Sequence, residues 1–264
     1  MTADRVLLER DAGRGGRLAH LVLSRPEALN AIDSELAGQL GARCEALAAD
    51  PSVWAVIFRG NGARAFCAGA DLKERHHFTP AQWQAQRELF RHMFRLVRGV
   101  PQPMIAAVHG FALGGGAELA MLADFIVAAD DAVFGLTEVR LGIIPGGGGT
   151  QSLPRLIGRN RAKELIYAGR RITAAEAHAL GLVNRVVPRS DLVGTAESIA
   201  DEILANGPVA VRQVKWAIDQ GADLRFEEGL EREHEAYMRA IASEDRQEGI
   251  AAFNEKRPPR FQGR

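Results

Sequence analysis

Apolar residues along this chain follow two patterns, short unbroken runs and positions spaced three or four apart, and their alternation predicts strands exchanging with helices. The run over residues 17–24 reads as a strand ending at Arg25-Pro26. Asp33 or Ser34 then caps a helix whose apolar positions, Leu36, Leu40, Cys44 and Leu47, share one face. Asp50-Pro51 stops that helix, and residues 53–58 form the next strand. A looser segment leads to a helical pattern over 83–97, then a short apolar strand over 104–108. A glycine turn opens the helix that carries Glu118, and residues 125–129 form a further strand. Such alternation predicts an α/β core, with helices packed on largely parallel strands. From about Asp191 the strand signals stop, and two or three polar helices run to Lys256, ahead of Pro258-Pro259. A boundary is placed near residue 198. Residues 1–198 form the α/β core, and residues 199–264 form a helical region too small and polar for a core of its own, expected to pack on the first part or on another subunit.

Charge changes the picture little: 33 basic residues balance 33 acidic ones, so no global field draws in nucleic acid or a membrane surface. An anionic ligand must be met by a local cluster. Only four lysines occur, Lys73, Lys163, Lys215 and Lys256, so the positive charge is mostly arginine. Cys44 and Cys67 have no Cys/His partners at metal-ligand spacing, and a thiol-reducing compartment suits them better than a disulfide framework. The first residues carry Asp4, Arg5, Glu9 and Arg10 where a signal peptide needs an apolar run, and no apolar stretch is long enough for a bilayer. The expectation is a cytoplasmic protein.

Candidate chemistry centres on two glutamates in apolar, glycine-rich surroundings. Glu118 follows Gly114-Gly115-Gly116, and Glu138 precedes the run Pro145-Gly-Gly-Gly-Gly149-Thr150. A carboxylate among apolar neighbours is destabilised as an anion unless paired, and its pKa rises. Two such groups facing one substrate divide proton donation and acceptance between them. The glycines before Glu118 and the turn Ala68-Gly69-Ala70-Asp71 each offer backbone N–H groups, and two turns together make an oxyanion hole. Three other motifs do not carry chemistry. Gly60-Asn-Gly62-Ala-Arg-Ala65 resembles a dinucleotide fingerprint but lacks the acid at the end of a second strand. The 145–150 run lacks the lysine of a phosphate-binding loop, and His76-His77 has no carboxylate to complete a metal site.

Phe66-Cys-Ala-Gly-Ala-Asp-Leu-Lys73, Gly114-Gly-Gly-Ala-Glu118-Leu and Glu138-Val-Arg-Leu-Gly-Ile-Ile-Pro-Gly-Gly-Gly-Gly-Thr-Gln151 together resemble the enoyl-CoA hydratase/isomerase (crotonase) superfamily. The resemblance extends to Arg25-Pro-Glu-Ala-Leu-Asn30, Gly181-Leu-Val-Asn-Arg-Val-Val187 and Phe253-Asn-Glu-Lys-Arg257, nearly the whole chain. Within the superfamily it is most similar to methylglutaconyl-CoA hydratases, on residues 71–75, 135–139 and 255–259. It implies a crotonase-like spiral of ββα units with a C-terminal helical region that builds trimers, commonly paired into hexamers. It implies an acyl-CoA substrate whose thioester oxygen is held by the N–H groups of Ala70 and Gly115. Glu118 would activate the water that adds to C3, and Glu138 would protonate C2. Arg25 and Lys73 are the implied CoA-phosphate contacts, with Lys256 reaching from a neighbouring subunit, and Ala28, Leu29 and Ala68 match the backbone that meets CoA. No metal or redox cofactor is implied, since CoA is part of the substrate. For a substrate with a distal carboxylate, Arg75, His76, His77 and Arg140 are the candidate partners.

The alternatives are a double-bond isomerase, or another acyl-CoA enzyme of the superfamily, and an RNA-binding protein. One lineage of similar hydratases binds RNA through a lysine-rich helix. Here the matching residues 33–49 hold Arg43 as their one basic side chain, and phosphate binding scales with the cations supplied.

Overall fold

The computed structural model describes residues 4–264. Among these described residues, ten strands are arranged in two sheets: β1 (Val6–Arg10), β2 (Leu18–Leu23), β3 (Ala55–Gly60), β4 (Ala65–Cys67), β5 (Met104–Val108), β6 (Phe111–Leu113), β7 (Phe125–Ala129), β8 (Val133–Gly135), β9 (Ile172–Thr173) and β10 (Arg185–Val187). The larger sheet has the order β1-β2-β3-β5-β7-β10, parallel except for the antiparallel edge strand β1. The smaller has the order β4-β6-β8-β9, with β4, β6 and β8 parallel. Three successive pairs, β3-β4, β5-β6 and β7-β8, thus give one strand to each sheet, which is a spiral of repeated ββ turns.

Eleven α-helices complete the described fold: α1 (Ser34–Ala49), α2 (Leu72–Arg75), α3 (Pro80–Arg98), α4 (Gly115–Ala120), α5 (Gly149–Ile157), α6 (Arg159–Ala168), α7 (Ala174–Leu180), α8 (Leu192–Leu204), α9 (Pro208–Gly221), α10 (Phe226–Ile241) and α11 (Glu244–Glu255). Alternate residues of the central strands serve two cores. Val56, Phe58, Ala106, Val108, Ile126 and Ala128 face a cluster with Leu36 and Leu40 of α1 and Met93 and Val97 of α3. Their neighbours Ala55, Ile57, Ile105, Ala107 and Val127 face α8 through Leu192, Ala196, Ile199 and Ala200. A parallel strand covered on both faces must be apolar throughout, which is why β5 reads Met-Ile-Ala-Ala-Val.

Helix starts follow the local chemistry. The Asp33 carboxylate accepts from the Leu36 N–H at 2.8 Å and opens α1. Thr79 and Gln82 form a reciprocal capping box, so α3 begins at Pro80, three residues before its apolar pattern. The strand expected over 53–58 runs from Ala55 to Gly60, because the Gly60 backbone pairs with Leu23. The fingerprint-like 60–65 segment leads from β3 into the short strand β4, not into a helix. Residue 198 lies within α8, which packs on the large sheet, and α9, α10 and α11 follow it. Cys44 and Cys67 are free, buried thiols, each pushed up to about 12 by burial. Among the described residues no helix is long and apolar enough to cross a membrane.

Candidate active site

The ends of β4 and β6 and the turn into α4 converge where the two sheets meet. Gly114 has φ +51 and ψ −125, a conformation that L-residues with a side chain avoid. A methyl carbon on Gly116 would stand 2.0 Å from the Cys67 carbonyl oxygen, so only glycine lets α4 approach β4. This close approach brings two N–H groups together. A carbon built on Gly69 would lie 3.5 Å from the Gly115 nitrogen, and one on Gly115 would lie 3.9 Å from the Ala70 nitrogen. Neither the Ala70 nor the Gly115 N–H has an acceptor among the described residues.

Four residues along α4, Glu118 is buried, 4% exposed. Its Oε1 accepts from the Gly147 N–H at 2.7 Å and the Gly149 N–H at 2.8 Å. The glycine run that mimics a phosphate loop therefore holds a carboxylate of its own chain. Burial pushes the Glu118 pKa up, and the N–H groups of Gly149 and Gly147 and the charge of Arg87 oppose that rise. Glu138 opens a 3-10 turn, Glu138–Leu141, and its Oε1 lies 3.1 Å from where a Gly114 methyl carbon would sit. Its buried Oε2 has no hydrogen-bond partner among the described residues. Burial raises its pKa to about 7, the nearby Glu118 charge adds to the rise, and only its own backbone N–H acts against it. Two carboxyls in one place are thereby differentiated, one supplied with donors and one without.

Ala68, Ala70, Gly115, Glu118 and Glu138 all line a cavity of about 610 Å³. Its walls also include Trp83, Phe90 and Phe94 of α3 and the apolar Leu141, Ile143 and Ile144. Of the candidates for a distal carboxylate, only Arg75 lines it. His76 and His77 are exposed after α2, and Arg140 lies against Gly169. Arg87, which the sequence reading did not single out, lines it as well. One of four arginines on a polar helix, Arg87 gave no signal of its own before α3 was placed over the glycine turns.

The expected CoA-contacting residues divide. The 29–32 segment runs beside 68–71, with the Ala68 N–H donating to the Leu29 carbonyl at 3.0 Å and the Ile32 N–H to the Gly69 carbonyl at 2.7 Å. Ala28, Leu29 and Ala68 are therefore brought together at one rim. Arg25 reaches the same place, but its guanidinium is bound to Asp71 at 2.6 Å and lies 3.4 Å from Asp33. Lys73 is exposed on α2. Lys256 caps α11 in a left-handed conformation and does not line the cavity of its own chain.

Residues 13–264 match the family model described as enoyl-CoA hydratase/isomerase. The Bacillus subtilis protein YngF is 47% identical over 246 residues, 93% of this chain and 95% of its own length. The crotonyl-CoA hydratase of Syntrophomonas wolfei is 40% identical over 261 residues, 99% of each chain. The crystal structure of an enoyl-CoA hydratase from Bacillus anthracis superimposes with a TM-score of 0.95 at 43% identity, covering 99% of this chain and 100% of that one. With its spiral of ββ turns, its paired glutamates and its matched length, this chain belongs to the enoyl-CoA hydratase/isomerase family.

Proposed function

We propose that this protein adds water reversibly across the C2–C3 double bond of 2-enoyl-CoA thioesters. The observation that carries the reading is the differentiated pair, Glu118 and Glu138, in one cavity with two free N–H groups. The Ala70 and Gly115 N–H groups hold the thioester oxygen and stabilise it as negative charge develops, worth about 3–4 kcal/mol for one such donor. Glu118, the carboxylate supplied with donors, takes a proton from water as its oxygen bonds to C3. Glu138, protonated through much of the neutral range, delivers a proton to C2. Each turnover leaves Glu118 protonated and Glu138 ionised, and exchange with water restores both. No cofactor beyond the CoA of the substrate enters this scheme.

The relation to methylglutaconyl-CoA hydratases at residues 71–75, 135–139 and 255–259 extends the reading to 3-methylglutaconyl-CoA as the acyl group. At the CoA end, Lys73 is the exposed cation for phosphate, and Arg25 shares its charge with Asp71 and Asp33. The C-terminal helices support a homo-oligomer: α9, α10 and α11 expose Val214, Ile218, Tyr237, Phe226 (76%) and Phe253 (83%), an apolar surface suited to a second copy, to which Lys256 would then be near.

Incubation with crotonyl-CoA tests the reaction. The enoyl absorbance should fall as the product gains the mass of one water. Bond migration without that gain would replace hydration by isomerisation. Phe94 bears on chain length, since it lines both this cavity and a second of about 630 Å³ beyond Gly146 and Gly147. Phe94→Leu should raise kcat/KM for an eight-carbon enoyl-CoA relative to the four-carbon one by roughly tenfold. An unchanged ratio would show that the acyl chain takes another route.

A further inference from the structure

The N–H that Ala70 presents owes its direction to a short piece of chain beside its turn. Residues 29–32 run along 68–71, and Ile32 pairs with Ala70 in an isolated parallel bridge that belongs to neither sheet. The Ile32 N–H donates to the Gly69 carbonyl at 2.7 Å, and the Asp71 N–H donates to the Ile32 carbonyl at 2.8 Å. The Gly69 carbonyl and the Ala70 N–H belong to one trans peptide and point opposite ways. The bond from Ile32 therefore turns the Ala70 N–H away from residues 29–32. Any shift of the bridge re-aims that N–H, and a pairing this short has little stability of its own.

One side chain clamps it. Arg25 Nη1 donates to the Ala31 carbonyl at 3.1 Å and to Asp71 Oδ2 at 2.6 Å, so a single guanidinium nitrogen joins the two segments beside the bridge. Its Nη2 lies 3.4 Å from Asp33 Oδ2, one residue beyond Ile32. Asp71 and Asp33 are both buried, where a carboxylate depends on its cation. Arg25 is fixed in turn through its backbone. Its N–H donates to Asn30 Oδ1 at 2.8 Å, and Asn30 Nδ2 donates to the Asn61 and Ala65 carbonyls at 2.9 Å each. Asn30 is fully buried and, like Leu29, has a positive φ, so the turn presenting Arg25 is held where the surrounding bonds require it. With its charge already answered by two buried carboxylates, this guanidinium is a poor partner for a phosphate and well placed to hold a backbone.

We infer that Arg25 and Asp71 are positioning residues for the oxyanion hole: their ion pair clamps the Ile32–Ala70 bridge and thereby aims the Ala70 N–H at the thioester oxygen. This role rests on the acyl-CoA reading above, and it stands in place of the phosphate contact that the motifs imply for Arg25.

Two thioesters separate the roles: crotonyl-CoA, and crotonyl-pantetheine, which lacks every phosphate of CoA. Arg25→Met and Asp71→Asn should each lower kcat for both by the same factor, roughly tenfold to a hundredfold, with KM changed far less. Arg25→Lys, whose ammonium can still meet Asp71, should recover part of the loss. Asp71→Asn keeps an oxygen that can accept from the Lys73 and Glu74 N–H groups, so α2 stays capped and the test does not depend on Arg25→Met folding. A phosphate-binding Arg25 gives the opposite pattern. Arg25→Met would then raise KM for the CoA thioester alone, and Asp71→Asn, by freeing the guanidinium, would lower it; that result would overturn the inference. Isotope-edited infrared spectra of bound, unreactive butyryl-CoA read the oxyanion hole without turnover. The carbonyl band should lie lower on the wild-type protein than in solution and move back toward the solution value in Arg25→Met and Asp71→Asn. A band unmoved between wild type and both variants, or unshifted on binding to wild type, also counts against the clamp. Absence of crotonyl-CoA turnover with the expected band pattern intact would sink hydration and leave the clamp standing.

Discussion

Glu118→Gln is expected to lower hydration of crotonyl-CoA by about 10²- to 10⁴-fold, with the fold and thioester binding retained. The substitution preserves shape, and the amide oxygen of glutamine can still accept from the Gly147 and Gly149 N–H groups that now hold Oε1. What it removes is the second, basic oxygen and the negative charge that draws a proton from water. The same two donors make the pH argument. They and Arg87 favour the ionised form of Glu118 against the effect of burial, so this group is the one suited to act as a base. Circular dichroism and butyryl-CoA affinity would check that the variant is folded. Turnover within tenfold of wild type in a folded variant would remove Glu118 from the water-activating role and favour a one-carboxylate reaction.

How far the site can be read from the chain alone depends on the kind of interaction that makes it. The glutamates stand out because charge in an apolar, glycine-rich context is locally visible, and both line the cavity. Strands over 104–108 and 125–129 match β5 and β7 because buried parallel strands are unbroken apolar runs. The smaller sheet was not legible: β4, β6, β8 and β9 have two or three residues each, too few for a period to show. The antiparallel edge strand β1 was also missed, since its outer half is polar and exposed. The partners of Glu118 were hidden for a different reason. Gly147 and Gly149 lie 29 and 31 residues further on, and a backbone N–H carries no residue-specific mark. Arg87 had none either, because its meaning comes from α3 lying over the glycine turns. The motifs did indicate Arg25 as a phosphate contact, but they did not show that Asp71 and Asp33 already engage it.

Glu138→Gln should reverse the usual sense of an active-site substitution by stabilising the protein while abolishing most of its activity. In the folded chain the Glu138 carboxyl holds its proton up to about pH 7, against an ordinary value of 4.5, because burial and the charge of Glu118 disfavour its anion. The folded state therefore binds this proton more tightly than the unfolded chain does. The resulting stability is fully present below pH 4.5 and is lost as pH rises through about 7. That interval corresponds to at most roughly 3 kcal/mol, and partial exposure of the side chain reduces it to on the order of 1–2 kcal/mol. A neutral glutamine never forms the buried anion, so the variant should melt several degrees above wild type at pH 8 and close to it at pH 5. The same proton is the one delivered to C2, so wild-type kcat/KM should decline as pH rises through about 7. In Glu138→Gln that limb should vanish together with most of the turnover. A variant no more stable at pH 8 than at pH 5, relative to wild type, would mean that Glu138 is ionised and solvated in the folded protein. The acid would then have to be sought elsewhere in the cavity. If instead stability and activity move in opposite directions at one position, the cost of keeping an unpartnered carboxyl buried at Oε2 is the cost of having a proton available at neutral pH.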